Sequence, residues 1–236
     1  NALKVFQKIQ KYPRIDKKNI FEWSIKPFRT GITSNDCIDI DEVDNTAKDY
    51  WPVYKGESFN LWESDTGIYY GWAKKEYIFK KLNKKIRRSR KWEEYRDELP
   101  CMRPRIAFRR ITNRTNRRTL IISLIPPEVF LRDGDPFLLW PKGRIEDEAY
   151  LLAVLSSIPT DWYVRRFTEK YMGYYIFNGI PVPRVGEKNI LRKKLIKLTG
   201  KLVSADKRFK SWVNKLGIKS DSFEKDYKNE YIYEID

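Results

Sequence analysis

The sequence predicts an α+β fold, in which a mixed-sheet domain is followed by a C-terminal helical extension. Two apolar runs, residues 105–111 and 119–125, flank a polar loop as the strands of a β-hairpin do. Apolar residues at positions 78, 82 and 86 repeat every four residues, which indicates an amphipathic helix. After Gly186 the chain changes to helical spacing among lysines. We therefore expect a domain over residues 1–185 and a basic helical extension with a polar tail over residues 186–236.

The first part of the chain is rich in aromatic residues at strand spacing. Residues 21–28 and 50–54 each predict a strand, and a second aromatic-rich strand is expected after the turn at Gly56. Acidic residues cluster at positions 36–49 and 57–65. The carboxylates at positions 36–49 could bind Mg²⁺, although in a basic chain such a patch is more often a solvated loop or an intramolecular partner for lysines, and we favour the loop.

A strongly basic helix is expected within residues 72–99. Its apolar stripe would be buried, and most of its lysines and arginines would face outward. Such a face can contact successive DNA phosphates, or it can be merely the solvated side of an amphipathic helix. The basic residues that we single out as candidate phosphate contacts are Lys84, Lys85, Arg87, Arg88 and Lys91.

The hairpin at residues 105–125 is the most informative segment of the chain. Its first run alternates apolar with other residues and predicts a half-buried strand, whereas the second is nearly all apolar and suits a strand buried on both faces. Pro126 and Pro127 would end it, because proline cannot donate to a ladder. The hairpin carries six arginines and no acidic residue between them, together with two loop asparagines: Arg105, Arg109, Arg110, Asn113, Arg114, Asn116, Arg117 and Arg118.

This density of uncompensated charge favours a polyanion as the partner of the hairpin. A purely structural surface would normally relieve the self-repulsion with Asp or Glu. The alternative interpretation remains open, since arginines on strands are often only solvated and asparagine in a loop is usually turn chemistry.

The rest of the chain predicts mainly helices. We expect a strand at residues 137–140, a helix from Glu146 to Leu155 that ends before Pro159, and a second helix with Asp161 as its N-cap. Residues 174–183 read as a strand. Helices are then expected over residues 190–203 and 209–216, followed by a polar tail with little core of its own.

Composition narrows the classes of function. The chain has 236 residues, a net charge of +16, two cysteines and no histidine. The charge is typical of nucleic-acid binders, although a basic chain can also sit on an anionic membrane. The absence of histidine removes Ser-His-Asp and Cys-His catalysis, and two distant cysteines cannot form a zinc site alone. Because no apolar run approaches the ~20 residues of a spanning helix, we expect no membrane segment and a cytoplasmic protein.

Catalytic motifs are missing from the sequence. There is no GxxxxGK[ST] loop and no Asn-Pro-Pro-aromatic motif of the kind that grips a flipped base. We therefore expect no catalytic residue, no bound metal and no cofactor in this chain.

Five ordered segments of the chain resemble a known family. They are YWPVYKGESFNLWESDTG, PRIAFRRITNRTNRRTLIISLIPP, AYLLAVLSSIPTDWYVRRF, IPVPR and LRKKLIKLTGKLVSADKRFKSWVNKLGI. Together they resemble the C-terminal region of adenine-specific DNA methyltransferases of type II restriction-modification and phage-exclusion systems, including methylase-nuclease fusions. The resemblance implies a DNA target recognition domain, followed by helices, that works with a catalytic methyltransferase domain or subunit. It also implies S-adenosylmethionine, and Mg²⁺ in fused nucleases, as cofactors of the parent enzyme.

The sequence thus predicts sequence-specific binding of double-stranded DNA. Helix lysines would neutralise phosphates, while hairpin arginines and asparagines would reach guanine and adenine edges. Two alternatives stay open: a stand-alone Mg²⁺-dependent endonuclease that uses carboxylates of the two acidic clusters, and a module that binds an acidic protein.

Overall fold

A computed structural model describes residues 2–17, 26–38, 48–88, 98–139, 144–219 and 227–236. Within these ranges the helices are α1 (Ala2–Gln10), α2 (Lys75–Arg87), α3 (Ile145–Ser156), α4 (Ile158–Val164), α5 (Tyr174–Asn178), α6 (Ile190–Val203), α7 (Lys210–Lys215) and α8 (Lys228–Ile235). The strands are β1 (Lys26–Phe28), β2 (Tyr50–Tyr54), β3 (Gly71–Lys74), β4 (Arg105–Phe108), β5 (Ile122–Ile125), β6 (Phe130–Leu131) and β7 (Phe137–Leu139). None of the described helices is long and apolar enough to cross a membrane.

The strands form two small sheets. The first has the order β1-β7-β4-β5 and is antiparallel throughout. The second has the order β3-β2-β6, with β2 antiparallel to β3 and parallel to β6. The α+β class and a mixed sheet are therefore confirmed.

The hairpin β4–β5 lies between two hydrophobic cores. Ile106, Phe108 and Ile122 belong to a cluster formed with α3, α4, α5 and α7, where Phe108 stacks on Phe177 with ring centroids 4.1 Å apart. Ala107 and Ile125 face a second cluster built from α2 and the second sheet. The expectation of a half-buried first strand is wrong, because this second cluster covers the other face and every residue of β4 is buried. The prediction for β5 is confirmed.

Helix α2 has the predicted buried stripe of Ile78, Leu82 and Ile86.

The predicted helix that begins near residue 146 is confirmed as α3, which ends at Ser156. Pro159 does not terminate α3 but lies in the first turn of α4, where a missing N–H costs nothing. Asp161 is not an N-cap, because α4 begins three residues earlier.

Two predicted strands are absent from the described residues. Residues 174–178 form α5, because Ile176 and Phe177 point into the core from a helical turn. After Gly56 the chain makes a short 3₁₀ turn, and Asn60 and Glu63 then close a tight backbone turn instead of a strand. In both segments side-chain packing outweighs the β-propensity of the aromatic residues.

The C-terminal helices pack onto the rest of the protein. The predicted helices at residues 190–203 and 209–216 are confirmed as α6 and α7. The expectation that the last residues have little core is wrong for α8, since Tyr231 and Ile235 are buried against α3 and α6. The boundary between residues 185 and 186 stays a prediction.

Candidate nucleic-acid interface

The hairpin loop, residues 109–121, joins β4 to β5 and carries an exposed tip at residues 113–117. Asn113 shapes the tip: its Oδ1 accepts hydrogen bonds from the backbone N (3.0 Å) and the Oγ1 (3.1 Å) of Thr115. Its backbone oxygen accepts from the N of Asn116 at 3.1 Å. Such an Asx turn fixes the backbone locally. The carboxamide oxygen of Asn113 is therefore already used in the turn.

Side chains of α4 and of its C-cap residue hydrogen-bond to the backbone of the hairpin loop. The Arg165 guanidinium donates to the backbone oxygens of Arg114 (2.6 Å) and Arg117 (3.0 Å), and also to Oδ2 of Asp161 at 2.8 Å. Oδ1 of Asp161 accepts from the backbone N of Thr119 (2.6 Å) and of Leu120 (2.8 Å). The buried carboxylate thus satisfies two amides at the entry to β5, which would otherwise cost free energy as unpaired donors.

The Asp161–Arg165 pair was not among the candidate site residues. The spacing of four residues on a helix is a signal for an ion pair. It gives no indication that the pair holds a loop more than forty residues earlier in the chain.

The tip arginines differ from the other candidate residues. The side chains of Arg114 and Arg117 are exposed, and no described residue pairs with either guanidinium. The Nδ2 of Asn116 makes one long contact, 3.4 Å, to Oγ1 of Thr112. These three residues therefore present hydrogen-bond donors to solvent from a backbone that is held in place.

Arg105 was predicted to contact DNA, but the structure buries it. Its side chain is 3% exposed, and its guanidinium donates to the backbone oxygens of Val129 (2.7 Å) and Pro126 (3.3 Å). It also lies 5.0 Å from the centre of the Phe137 ring. Burial lowers the pKa of Arg105 to about 10, so the side chain remains a cation at neutral pH. Arg105 therefore stabilises the core, and its burial leaves it without an exposed donor for DNA.

Arg109 and Arg118 also make contacts within the protein. The Arg109 guanidinium donates to the backbone oxygen of Phe59, with Nε at 3.1 Å, and partial burial lowers its pKa. Arg118 forms an ion pair with Asp236 at 2.6 Å and donates to the backbone oxygen of Ser156 at 3.4 Å. Both guanidinium groups are thus engaged within the protein, and their contact with DNA stays a prediction.

Arg110 lies at the base of the loop, half-buried, with its guanidinium carbon 5.9 Å from the centre of the Tyr171 ring. Its backbone oxygen accepts from the N of Met172 at 2.7 Å, and the N of Thr112 donates to the oxygen of Lys170 at 3.2 Å. The base of the loop is thereby paired with residues 170–172 as a short antiparallel ribbon.

Helix α2 presents a second basic surface. Lys84, Lys85, Arg87 and Arg88 are all exposed. Lys85 also donates to the backbone oxygen of Arg29 and lies 5.1 Å from the Phe28 ring centre. Desolvation lowers the pKa of Lys85. Lys91 lies outside the described residues. No hydrogen bond or ion pair within the described ranges joins α2 to the loop tip.

Four of the five described carboxylates of the two acidic clusters pair with neighbouring basic side chains: Asp36, Asp49, Glu57 and Asp65. Asp36 pairs with Lys81 at 2.6 Å, which lowers the pKa of Asp36 against the opposing effect of burial. Asp65 accepts from the hydroxyls of Tyr54 and Tyr69 and pairs with Arg208 at 3.0 Å. Residues 39–47 lie outside the described ranges. No three His, Cys, Asp or Glu residues among those described are grouped so that they could hold a metal ion.

A cleft of about 490 Å³ lies at the other end of the hairpin, beside Arg105. Glu148 of α3 borders it and accepts a hydrogen bond from Nε1 of Trp212 at 2.8 Å. Burial raises the pKa of Glu148 to about 7, against the lowering effects of Trp212 and Arg103. A carboxyl group with this pKa exchanges protons near neutrality. The sequence did not single out Glu148, because it is one of three acidic residues in the first turn of α3 and such residues are common there.

Comparison with known proteins gives a likeness of fold. No family model matches the sequence, and no curated protein matches it. Among solved structures, the type IIG restriction endonuclease BpuSI is similar, with a TM-score of 0.51 and 11% sequence identity. The alignment covers 99% of this chain and 32% of that enzyme, so the chain spans about a third of the length of this neighbour.

Proposed function

We propose that this chain binds double-stranded DNA as the target recognition part of an adenine-N6 DNA methyltransferase or of a restriction-modification enzyme. The observation that carries the proposal is the loop tip, where Arg114 and Arg117 are exposed without a described partner while Arg165 holds their backbone oxygens. A side chain reads bases well only if its backbone is positioned beforehand, because ordering a mobile loop would cost binding free energy.

Charge and fold both support this proposal. A net charge of +16 favours attraction to a polyanion. The fold is similar to that of part of BpuSI, which is a type IIG restriction endonuclease. An enzyme of restriction-modification or phage-exclusion systems must distinguish one DNA sequence from others, and a basic loop on a rigid domain can do this.

The two basic surfaces would have different tasks. The fork of Arg114 or Arg117 matches the O6 and N7 acceptors of guanine in the major groove, and the carboxamide of Asn116 matches adenine. On α2, Lys84, Arg87 and Arg88 would neutralise phosphates without reading the sequence. Arg110 is half-buried and would support the loop base.

The chemistry would belong to a separate catalytic methyltransferase domain or subunit. S-adenosylmethionine, and Mg²⁺ if that enzyme also cleaves DNA, would be held there rather than by this chain. The cytoplasm would be the compartment in which the chain meets its DNA.

The decisive experiment selects the DNA that the chain prefers. Duplexes bound from a random-sequence pool are sequenced, and affinity is then measured on a selected duplex and on its scrambled form at several salt concentrations. We expect enrichment of one sequence and a linear fall of log affinity with log salt. Unenriched pools with salt-insensitive binding would contradict the proposal.

Single variants then separate base contacts from phosphate contacts. Asn116→Ala or Arg117→Ala should cost ~1–3 kcal/mol on the selected duplex and much less on the scrambled one. Lys84→Ala is the matched control and should weaken both duplexes alike. If all tip variants also weaken both alike, the sequence is read elsewhere on the protein.

A further inference from the structure

The ribbon at the base of the hairpin loop presents two exposed apolar side chains side by side. Ile111 and Tyr171 are paired in an antiparallel β-bridge. The flanking bonds run from Thr112 N to Lys170 O and from Met172 N to Arg110 O, at 3.2 and 2.7 Å. This is the non-hydrogen-bonded pairing, in which opposite Cα atoms lie about 4.5 Å apart and the two side chains are closest.

The pair faces away from the core. Thr112 and Met172, which follow the pair on each strand, are 5% and 0% exposed and point inward. Because successive strand residues point to opposite sides, Ile111 and Tyr171 point outward, and they are 60% and 57% exposed. Thr112 and Met172 therefore hold the ribbon against the core, while Ile111 and Tyr171 are exposed to solvent.

The surroundings of the pair favour nucleic acid over protein as its partner. Segments 110–118 and 165–172 contain seven lysines and arginines and one acidic residue, Glu169. An apolar pair inside a cationic surface is complementary to DNA, whose apolar base faces lie between two rows of phosphates. Ile111 is three residues from Arg114, so their Cα atoms are at most about 11 Å apart. Residues this close to each other can contact the same duplex.

We infer that Ile111 and Tyr171 form an apolar wedge that inserts beside a base pair of the bound DNA and unstacks one base step. This inference rests on the proposed function of the loop tip. Apolar side chains of proteins that bind the minor groove separate base steps in this way, and an aromatic ring can stack on the base that is uncovered. The wedge would add readout of DNA deformability to the hydrogen bonds made by the tip.

The test does not require the recognised sequence. Two duplexes of identical sequence are used, one fully paired and one with a central mismatch, because unstacking costs least at a mismatch. We expect the wild-type chain to bind the mismatched duplex about fivefold or more tightly than the paired one. The double variant Ile111→Ala/Tyr171→Ala should bind both duplexes with equal affinity.

The control carries the same chemical change at another exposed position. Ile190 and Tyr233 are 81% and 82% exposed on α6 and α8, and Ile190→Ala/Tyr233→Ala should retain the preference for the mismatch. A fluorescent 2-aminopurine beside the mismatch gives a second readout, since its emission rises when it is unstacked.

The outcomes are distinguishable. Equal wild-type affinity for the two duplexes, or a preference that survives in the Ile111/Tyr171 variant, would overturn the wedge. A wild-type dimer that this variant dissociates would show instead that the pair joins two copies of the chain. Failure to bind either duplex at low salt would overturn the proposed function itself.

Discussion

Arginines at the two ends of the same hairpin have opposite surroundings. At the strand ends far from the loop, Arg105 is buried and donates to backbone oxygens of the core. At the tip, Arg114 and Arg117 are exposed and pair with no described residue. The difference teaches that the partner of a cation is decided by its distance from the packed layers and not by its residue type. One group stabilises the protein, and the other remains available to a ligand.

The largest effect on stability should come from replacing Arg105 at the buried end of the hairpin. Arg105→Ala removes the donors to Val129 and Pro126 and leaves a cavity beneath the Phe137 ring. We expect the free energy of unfolding to fall by about 3–5 kcal/mol, because buried backbone oxygens lose their donors and a large side chain leaves a cavity. Urea denaturation measures this loss, with Arg114→Ala as the matched arginine control. Unchanged stability with weakened DNA binding would show that Arg105 belongs to the interface after all.

A smaller effect on stability, of opposite sign, is expected when Glu148 is replaced in the cleft beside Arg105. Burial raises its folded-state pKa from 4.5 to about 7, so the folded protein favours the protonated form. The stability of the wild type should therefore fall as pH rises from about 4.5 to 7 and then level off. Glu148→Gln removes this penalty and should stabilise the protein by about 1–3 kcal/mol at pH 8, with little gain near pH 4.5.

Thermal melting at pH 5 and pH 8 measures this difference. Glu146→Gln, on the same helical turn but more exposed, is the control and should change stability by less than about 0.5 kcal/mol at either pH. A Glu148→Gln variant that is less stable than wild type at pH 8 would mean that the carboxylate is ionised and paired in the folded state.

The smallest effect on stability belongs to the exposed end. The double variant Arg114→Ala/Arg117→Ala should change the free energy of unfolding by less than about 0.5 kcal/mol, because both side chains are exposed and neither guanidinium pairs with a described residue. Its affinity for duplex DNA should nevertheless fall by about tenfold or more. Chemical denaturation and fluorescence anisotropy measure the two quantities on the same preparation. A destabilised variant with unchanged affinity would reverse the comparison between the two ends.

Local patterns determined much of the fold. The four-residue repeat at positions 78, 82 and 86 and the apolar spacing after Ile190 identified α2 and α6, because a helix buries one stripe whatever it packs against. The apolar run at residues 122–125 identified β5 for a similar reason. The exposure of the loop tip follows from its sequence in the same way, since a dense run of uncompensated cations cannot be buried cheaply.

Only the tertiary structure decided which cations of the hairpin remain available. Arg105 is buried because the second core covers β4, and Arg118 is paired because α8 brings Asp236 to it from 118 residues away. The role of Asp161 depends in the same way on a segment 41 and 42 residues earlier. Residues 174–178 became a helix because Phe177 packs on Phe108. Each of these outcomes depends on contacts between distant segments, and the spacing of neighbouring residues carries no information about such contacts.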